Sequence, residues 1–155
     1  MATADDLAEY HRDPCGWCIK ELRNPDPDVR CNAADILRGL AFDAVAAIPA
    51  LAEALRDLDE QVRAYCAHAL LDIGHAVHRR VPSALPTLTA TIPVLVTALS
   101  DQYAEVRSLA AGALGVVGPA AASAVPKLRE LLADPDAEVR DYAAQALLFV
   151  TGPIS

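Results

Sequence analysis

The dipeptide Val-Arg recurs four times along this chain of 155 residues, at intervals of 33, 44 and 33 residues. Leucine, alanine and polar residues recur in the same register around each copy, so the agreement extends well beyond two positions. A fixed period in this range is the signature of a repeat architecture, in which each repeat is one supersecondary unit. The four dipeptides are Val29-Arg30, Val62-Arg63, Val106-Arg107 and Val139-Arg140.

Each repeat has the pattern of two helices joined by a short polar turn. In the second repeat, the first helix begins at Ile48-Pro49, because proline is tolerated at the first helical position. The second helix begins near Glu60, and Gly74, a favoured helix stop, is predicted to end it. One helix pair cannot bury its apolar face alone, so stacked neighbours must supply the core. The predicted buried stripe is Val62, Ala69, Leu70 and Ile73.

Composition excludes several function classes. The chain is 54% hydrophobic, which is too apolar for a disordered protein. It has 13 basic and 21 acidic side chains and a net charge of −8, which opposes nucleic-acid binding by phosphate neutralisation. Uncharged stretches over 81–100 and 108–126 are interrupted by proline or glycine, so we do not expect a membrane span. The polar, acidic N-terminus shows no secretory signal, and we expect a soluble, cytoplasmic protein.

The pattern resembles that of the HEAT-repeat family, in particular the short repeats of phycobilisome-lyase-like proteins. The resemblance rests on the aliphatic-proline start, the aspartate five residues before the valine, and the Val-Arg itself. It implies an all-α fold, an α-solenoid of about four HEAT-like helix-pair repeats. We expect one domain over 1–155, with units at about 13–41, 44–74, 90–118 and 121–150, an insertion at about 75–91, and a short helix at 3–11.

The resemblance also implies a ladder of ion pairs between neighbouring repeats. The first unit departs from the pattern, because Asn24 replaces the aspartate and Cys15-Gly16 replaces the aliphatic-proline start. We therefore interpret the first unit as a modified N-terminal cap. The implied ladder pairs the three aspartates Asp57, Asp101 and Asp134 with the three arginines Arg63, Arg107 and Arg140.

In this family the second helices line a concave surface, so the register predicts which side chains face that groove. Aromatic side chains in an exposed groove are favoured interface anchors. Acids near the helix starts suggest a basic partner, although such acids also stabilise the helix dipole. The predicted partner-binding residues are Asp28, Asn32, Asp35, Tyr65, His68, Asp72, Glu105, Leu109, Tyr142, Gln145 and Phe149.

The segment Cys15-Gly-Trp-Cys18 has the Cys-x-x-Cys spacing of a redox pair or of half a zinc site. In the repeat register, however, both cysteines fall in slots that other units fill with Ile, Val or Leu, and Cys66 falls in an alanine slot. We therefore interpret all three as core residues, with a redox or metal role as the alternative. His68, His75 and His78 are interpreted as surface histidines rather than ligands. The sequence predicts no metal, no cofactor and no catalytic residue.

The second unit is 11 residues longer than its neighbours, and the surplus lies between Gly74 and Ile92. Insertions in solenoids map to loops on one face, which is often a binding face. This insertion carries a local positive patch made of His78, Arg79 and Arg80. A longer connector, or an extra helical turn that fills a stacking gap, is an equally good interpretation.

The leading functional hypothesis is a non-enzymatic scaffold that binds a protein or peptide partner, with no nucleic acid and no membrane involved. The main alternative is an enzyme-associated subunit of the bilin-lyase type that holds a cofactor or its acceptor protein. A basic-groove enzyme like the HEAT-like DNA glycosylases is a weaker alternative, because this groove is acidic. The last repeat has no obvious polar cap, which predicts either a homodimer through the C-terminal repeat or a longer array.

Overall fold

A computed structural model describes residues 4–152, and within this range the chain is helical and contains no strand. Residue 3 of the expected N-terminal helix and the residues after 152 lie outside the described range. The α-helices of this range are α1 (Ala4–Arg12), α2 (Pro14–Glu21), α3 (Pro27–Leu40), α4 (Ile48–Ala54), α5 (Glu60–Arg80), α6 (Leu85–Thr89), α7 (Ile92–Ala98), α8 (Ala104–Val117), α9 (Val125–Leu131) and α10 (Ala137–Thr151).

The helices stack as pairs, as the repeat pattern predicts. Helices α2, α4, α7 and α9 each pack on the second helix of their own pair, which is α3, α5, α8 or α10. The second helices also pack side by side in chain order, so α3 contacts α5, α5 contacts α8, and α8 contacts α10. Helix α1 packs on α2 at the N-terminal end. The result is an all-α solenoid of two helical layers, which confirms the predicted fold class.

Short polar turns start the second helices. Asp26, Asp59 and Asp136 are the N-cap residues of α3, α5 and α10, and their carboxylates accept hydrogen bonds from backbone N–H groups of the first helical turn. Such caps satisfy donors that have no intrahelical partner. Tyr103 takes this position before α8 and makes no side-chain cap. The helix starts predicted from the aliphatic-proline pairs and from Glu60 are confirmed.

The core lies between the two helical layers and follows the repeat register. Leu37, Leu70 and Leu114 occupy the same slot in three successive second helices, and all three are fully buried. Leu147 fills this slot in the last pair and is only partly buried. The predicted stripe of α5 is confirmed, since Val62, Ala69, Leu70 and Ile73 are inaccessible to solvent.

The predicted end of α5 at Gly74 is wrong, because the helix continues for six residues to Arg80. Gly74 is a buried packing position: a Cβ atom there would lie 3.0 Å from Cγ1 of Val116. The added turns bury Ala76 and Val77, and the helix ends shortly before Pro82. The insertion therefore consists of two more turns of α5, a short 3₁₀ segment and the helix α6, which packs against α4, α5 and α8.

The stretch Ala104–Leu131 is long and apolar enough by composition to cross a membrane. In the fold it consists of α8, a 3₁₀ segment that begins at Gly118, and α9, and 61% of its most apolar window is buried inside the protein. Gly118 has a φ of +73°, a conformation that breaks the helical path and that glycine adopts without strain. The stretch is thus two core helices of neighbouring repeats.

An ion-pair ladder connects neighbouring repeats, as the resemblance implies, although it includes Arg30 and leaves out Arg140. Each arginine of the ladder bonds the aspartate of the following repeat through both Nε and Nη2. Arg30 of the first unit takes part, although Asn24 does not supply a carboxylate. The observed pairs are Arg30–Asp57, Arg63–Asp101 and Arg107–Asp134.

Backbone contacts of the arginines direct them to the following repeat. Nη1 of Arg63 donates to the carbonyl oxygens of Asp57 and Leu58 in its own turn, which directs the rest of the guanidinium towards the next repeat. Arg140 makes the same two carbonyl contacts, to Asp134 and Pro135. Among the side chains that the structure describes, no carboxylate lies within ion-pair distance of Arg140. The implied participation of Arg140 in the ladder is therefore wrong, since only backbone oxygens of its own turn meet that arginine.

Candidate partner-binding groove

Three clefts lie along the exposed side of the second helices, and together they form what we call the second-helix groove. The N-terminal cleft, of about 200 Å³, lies between α5 and α8. The central cleft, of about 370 Å³, lies where α8 and α10 begin. The C-terminal cleft, of about 650 Å³, lies between the ends of α5, α8 and α10. His68 and Glu105 line both the N-terminal and the central cleft, and Tyr142 lines both the central and the C-terminal cleft. The three clefts are therefore adjacent.

Two glycines that line the C-terminal cleft let α10 approach α8 closely. A Cβ atom on Gly112 would lie 2.9 Å from the ring of Tyr142, and one on Gly115 would lie 3.0 Å from the Cα atom of Ala146. Leu71 and Val116 complete the apolar wall. Larger residues at the glycine positions would push α10 away from α8.

The rim of the C-terminal cleft combines an exposed aromatic ring with polar groups. Phe149 is 65% exposed, which is high for a phenylalanine that lies beside an apolar cleft. His75, His78 and Gln145 are exposed and also line the cleft. An exposed apolar surface with a polar rim is typical of an interaction site.

The central cleft is acidic. Glu105 and Glu138 lie in the first turns of α8 and α10 and are both exposed. In the described part of the chain, neither carboxylate has an arginine, lysine or histidine within ion-pair distance. Asp136, the N-cap of α10, lines the same cleft. Glu105 and Glu138 therefore give this cleft a negative charge that no ion pair with a described residue neutralises.

Two acids of the first two repeats, Asp35 and Asp72, differ from these glutamates because Arg38 pairs with both. Its Nη2 lies 2.7 Å from Oδ1 of Asp35, and its Nη1 lies 3.7 Å from Oδ2 of Asp72. Nε2 of His68 lies 3.8 Å from the same Asp72 oxygen. The continuous acidic row expected from the sequence is thus interrupted at Asp35 and Asp72. Arg38 was not recognised as a groove residue, since no other repeat has an arginine in its slot.

The structure brings most of the predicted site residues together. Tyr65, 38% exposed, lies in the N-terminal cleft, whereas Leu109 is only 6% exposed and forms part of the floor of the central cleft. The predicted residues that line at least one cleft are Tyr65, His68, Glu105, Leu109, Tyr142, Gln145, Phe149 and His78. Those that line none of the three clefts are Asp28, Asn32, Asp35, Asp72, Arg79 and Arg80.

The positive patch of the insertion separates into three different environments. Only His78 reaches the C-terminal cleft. Nε of Arg79 donates to the carbonyl oxygen of His75, and the guanidinium of Arg80 lies 5.3 Å from the ring centre of Phe42, a cation–π arrangement. Sequence reasoning missed Phe42 because it lies in the connector between the first two repeats, outside the repeated helices.

The cysteines occupy packing positions. Cys18 and Cys66 are inaccessible to solvent, as the core interpretation predicts, and Cys15 is half-buried. Burial raises the pKa of the Cys18 thiol to about 12, and burial also raises the pKa of Cys66. The pKa of Cys15 is raised by burial and then by the charge of Asp13, the N-cap of α2. A raised thiol pKa opposes the thiolate chemistry of a redox pair.

Among the described residues no group of three or more potential ligands is arranged to hold a metal ion.

The fold and the groove define a helical-repeat solenoid protein. The chain belongs to the HEAT-repeat family, because the family model for HEAT repeats matches residues 17–92 and again 92–154. This confirms the family that the sequence resembles. No curated protein matches the chain.

Several solved structures with the same architecture are engineered proteins. One is 26% identical, with a TM-score of 0.73 over 94% of this chain and 66% of its own. A second is also 26% identical, with a TM-score of 0.72 over 96% of this chain and 40% of its own. A designed armadillo repeat protein in complex with the peptide (KR)4 is 20% identical, with a TM-score of 0.71 over 91% and 65% of the two chains. The chain spans less than two thirds of the length of each.

Proposed function

We propose that this protein is a non-catalytic scaffold that binds a peptide segment of a protein partner in the second-helix groove. The observation that carries the proposal is the adjacency of the three clefts, which share His68, Glu105 and Tyr142. A row of clefts along a solenoid is suited to an extended chain, because successive side chains can each enter one cleft.

Charge supports a basic partner segment. The carboxylates of Glu105 and Glu138 face the central cleft without a cation from the described chain, and the whole protein has a net charge of −8. Complementary charge steers a partner to its site and disfavours acidic competitors. The designed armadillo repeat protein solved with (KR)4 shows that a solenoid of this fold can hold a peptide.

A selection from a random peptide display library tests the proposal. The immobilised protein should enrich peptides that contain Lys or Arg, and the double variant Glu105→Arg/Glu138→Arg should lose them. Asp141→Arg is the matched control, because Asp141 is an exposed carboxylate of α10 that lines none of the three clefts. Absence of any enriched peptide, or equal losses in the groove variant and the control, would contradict the proposal.

We also propose that the last helix pair mediates self-association, as the sequence predicts. Leu132 and Leu148 are exposed on this pair, at 44% and 59%, and neither lines any of the three clefts. Light scattering of the wild-type protein and of Leu148→Glu measures this directly. If the wild-type protein is monomeric at high concentration, the proposed dimer is contradicted, and the peptide-binding proposal is unaffected. The cytoplasmic location stays a proposal that fractionation of cells tests.

A further inference from the structure

We propose that the partner segment has two determinants: one apolar side chain that enters the C-terminal cleft, and one Lys or Arg that binds Glu105 and Glu138 in the central cleft. This inference rests on the proposed function, and it specifies the chemistry and the spacing of the partner. Three features of the groove carry it: the apolar lining of one cleft, the uncompensated charge of the next, and the distance between them.

The C-terminal cleft fits an apolar side chain. Leu71, Val116 and Ala146 supply apolar walls, and Gly112 and Gly115 line the cleft without side chains of their own. Its volume of about 650 Å³ lies in the range of clefts that bind ligands. An aromatic or branched aliphatic side chain would bury this lining, and apolar surface removed from water is the dominant favourable term in association.

The cleft is open along the groove, which favours a polypeptide over a free small molecule. Tyr142 forms part of both the C-terminal and the central cleft, so an occupant of one can continue directly into the other. Phe149 stands exposed at the rim, where a partner backbone can cover it. Buried aromatic contacts surrounded by water-excluding neighbours are the usual form of an interface hot spot.

The charges around the two clefts orient the partner. Glu105 and Glu138 begin α8 and α10, whereas His75 and His78 lie near the end of α5 and line the C-terminal cleft. The carboxylates of Glu105 and Glu138 attract a lysine or arginine, so the basic residue of the partner is favoured at the acidic cleft. Its apolar residue then lies at the histidine-lined cleft.

Helix geometry gives the spacing. Ten residues of α8 separate Glu105 from Gly115, which corresponds to about 15 Å at the rise of an α-helix. An extended peptide covers this distance in about four to five residues. We therefore expect a Lys or Arg that lies four or five positions from a Leu, Ile, Phe, Tyr or Trp.

The peptide selection provides the first test when the enriched sequences are aligned. The expected consensus has a basic and an apolar position at the spacing given above. Enriched peptides that contain basic residues but no apolar residue at a constant spacing would overturn this inference and leave the proposed function intact. If no peptide is enriched, both proposals fail.

A matched pair of substitutions provides the second test, with one synthetic peptide from the selection as the probe. Gln145→Trp places a large side chain in the C-terminal cleft, whereas Gln102→Trp places the same side chain in the turn before α8, outside the three clefts. Both glutamines are exposed, so both variants should fold, and circular dichroism checks this. Fluorescence polarisation should show a loss of affinity of about tenfold or more for Gln145→Trp, as for a blocked hot spot. Replacement of the apolar residue of the peptide by alanine should cost the same factor.

The result for Gln102→Trp decides between occupation of the apolar cleft and a general effect of a large exposed side chain. This variant should bind the probe within about threefold of the wild-type protein, because an exposed substitution away from a hot spot has a small effect. Equal losses for the two variants, or unchanged binding of the alanine-substituted peptide, would overturn the inference.

Discussion

Arg107 binds Asp134 across the boundary between the third and fourth repeats. Nε and Nη2 of the arginine donate to the two carboxylate oxygens at 2.9 and 2.8 Å, and the side chains are 13% and 7% exposed. Nη1 donates at the same time to the carbonyl oxygens of Asp101 and Gln102. One guanidinium thus connects the turn of its own repeat to the turn of the next. A bidentate arginine–carboxylate pair of this kind adds a directional contact between neighbouring repeats to their apolar stacking.

Removal of this arginine should destabilise the fold. Arg107→Met leaves Asp134 without its partner, and we expect the free energy of unfolding to fall by about 2–4 kcal/mol, as for a mostly buried pair. Arg140→Met is the matched control, because Arg140 occupies the same register and bonds only backbone carbonyls among the described residues. Arg140→Met should lower the free energy of unfolding by about 1 kcal/mol. Urea denaturation followed by circular dichroism measures both, and equal losses would contradict a stabilising role of the ladder.

The ladder should also make stability depend on pH. The hydrogen bonds from Arg107 lower the pKa of Asp134. Burial alone would raise the pKa of Asp57, but the bonds from Arg30 and a backbone N–H outweigh it and the net pKa is lowered, as it is for Asp101. A lowered carboxyl pKa contributes stability that is complete above the unfolded-state pKa, about 3.9, and is lost as the pH falls through the folded-state value. The free energy of unfolding should therefore drop below about pH 4.

Comparison with a neutral variant isolates this contribution. Asp134→Asn should be less stable than the wild-type protein at pH 7, and it should lose less stability on acidification because one coupled carboxyl is absent. Urea denaturation at a series of pH values from neutral to acidic measures both slopes. Parallel curves for the two proteins would show that this carboxyl does not contribute to the acid sensitivity.

Much of the fold could be predicted from the sequence because residues at equivalent positions of the repeats also occupy equivalent positions in the packed core. Leu37, Leu70 and Leu114 share one slot, and stacking of identical helix pairs places all three in the same environment. The end of α5 could not be predicted this way. Glycine often ends a helix, but at Gly74 the absence of a side chain instead allows Val116 of the neighbouring repeat to approach closely.

The candidate site was less predictable, because its properties depend on contacts between repeats. Register correctly placed Tyr142 and Glu105 on the second helices, where they line the clefts. It did not reveal that Arg38 neutralises Asp35 and Asp72, since that contact joins side chains on two different helices. The apolar C-terminal cleft likewise arises from how closely two helices approach, which periodicity alone does not give.

A strained backbone position predicts a stabilising substitution. Ala41 ends α3 with a φ of +50°, and Gly118, with a φ of +73°, lies 77 residues later at the same place in its repeat. A left-handed conformation costs a non-glycine residue about 1–2 kcal/mol. Glycine removes this cost, but it also raises the conformational entropy of the unfolded chain, which offsets part of the stabilisation. Ala41→Gly should therefore raise the free energy of unfolding by about 0.5–1 kcal/mol, and Gly118→Ala should lower it. Thermal unfolding of both variants tests this, and a destabilised Ala41→Gly protein would contradict it.

The cysteines should react slowly in the folded protein. Burial raises the pKa of each thiol, and Cys18 and Cys66 are in addition inaccessible to solvent. Alkylation with iodoacetamide near pH 8, followed by mass spectrometry, should label these two only after unfolding, because the thiolate is the reactive form. Cys31 is the internal comparison, since it is only half-buried and should be labelled earlier. Rapid labelling of Cys18 in the folded state would instead support the redox alternative.

Two glycines in helices should respond in opposite ways to the same substitution. A Cβ atom on Gly115 would lie 3.0 Å from the Cα atom of Ala146, and α10 cannot yield at one backbone atom without shifting as a whole. Gly115→Ala should therefore cost about 1–3 kcal/mol, as overpacking does. Gly39 is exposed near the end of α3, and a Cβ atom there would meet no neighbouring atom within 4 Å, so Gly39→Ala should stabilise the protein by about 0.5–1 kcal/mol through helix propensity. Urea denaturation compares the two directly, and a neutral Gly115→Ala variant would show that α8 and α10 can separate without cost.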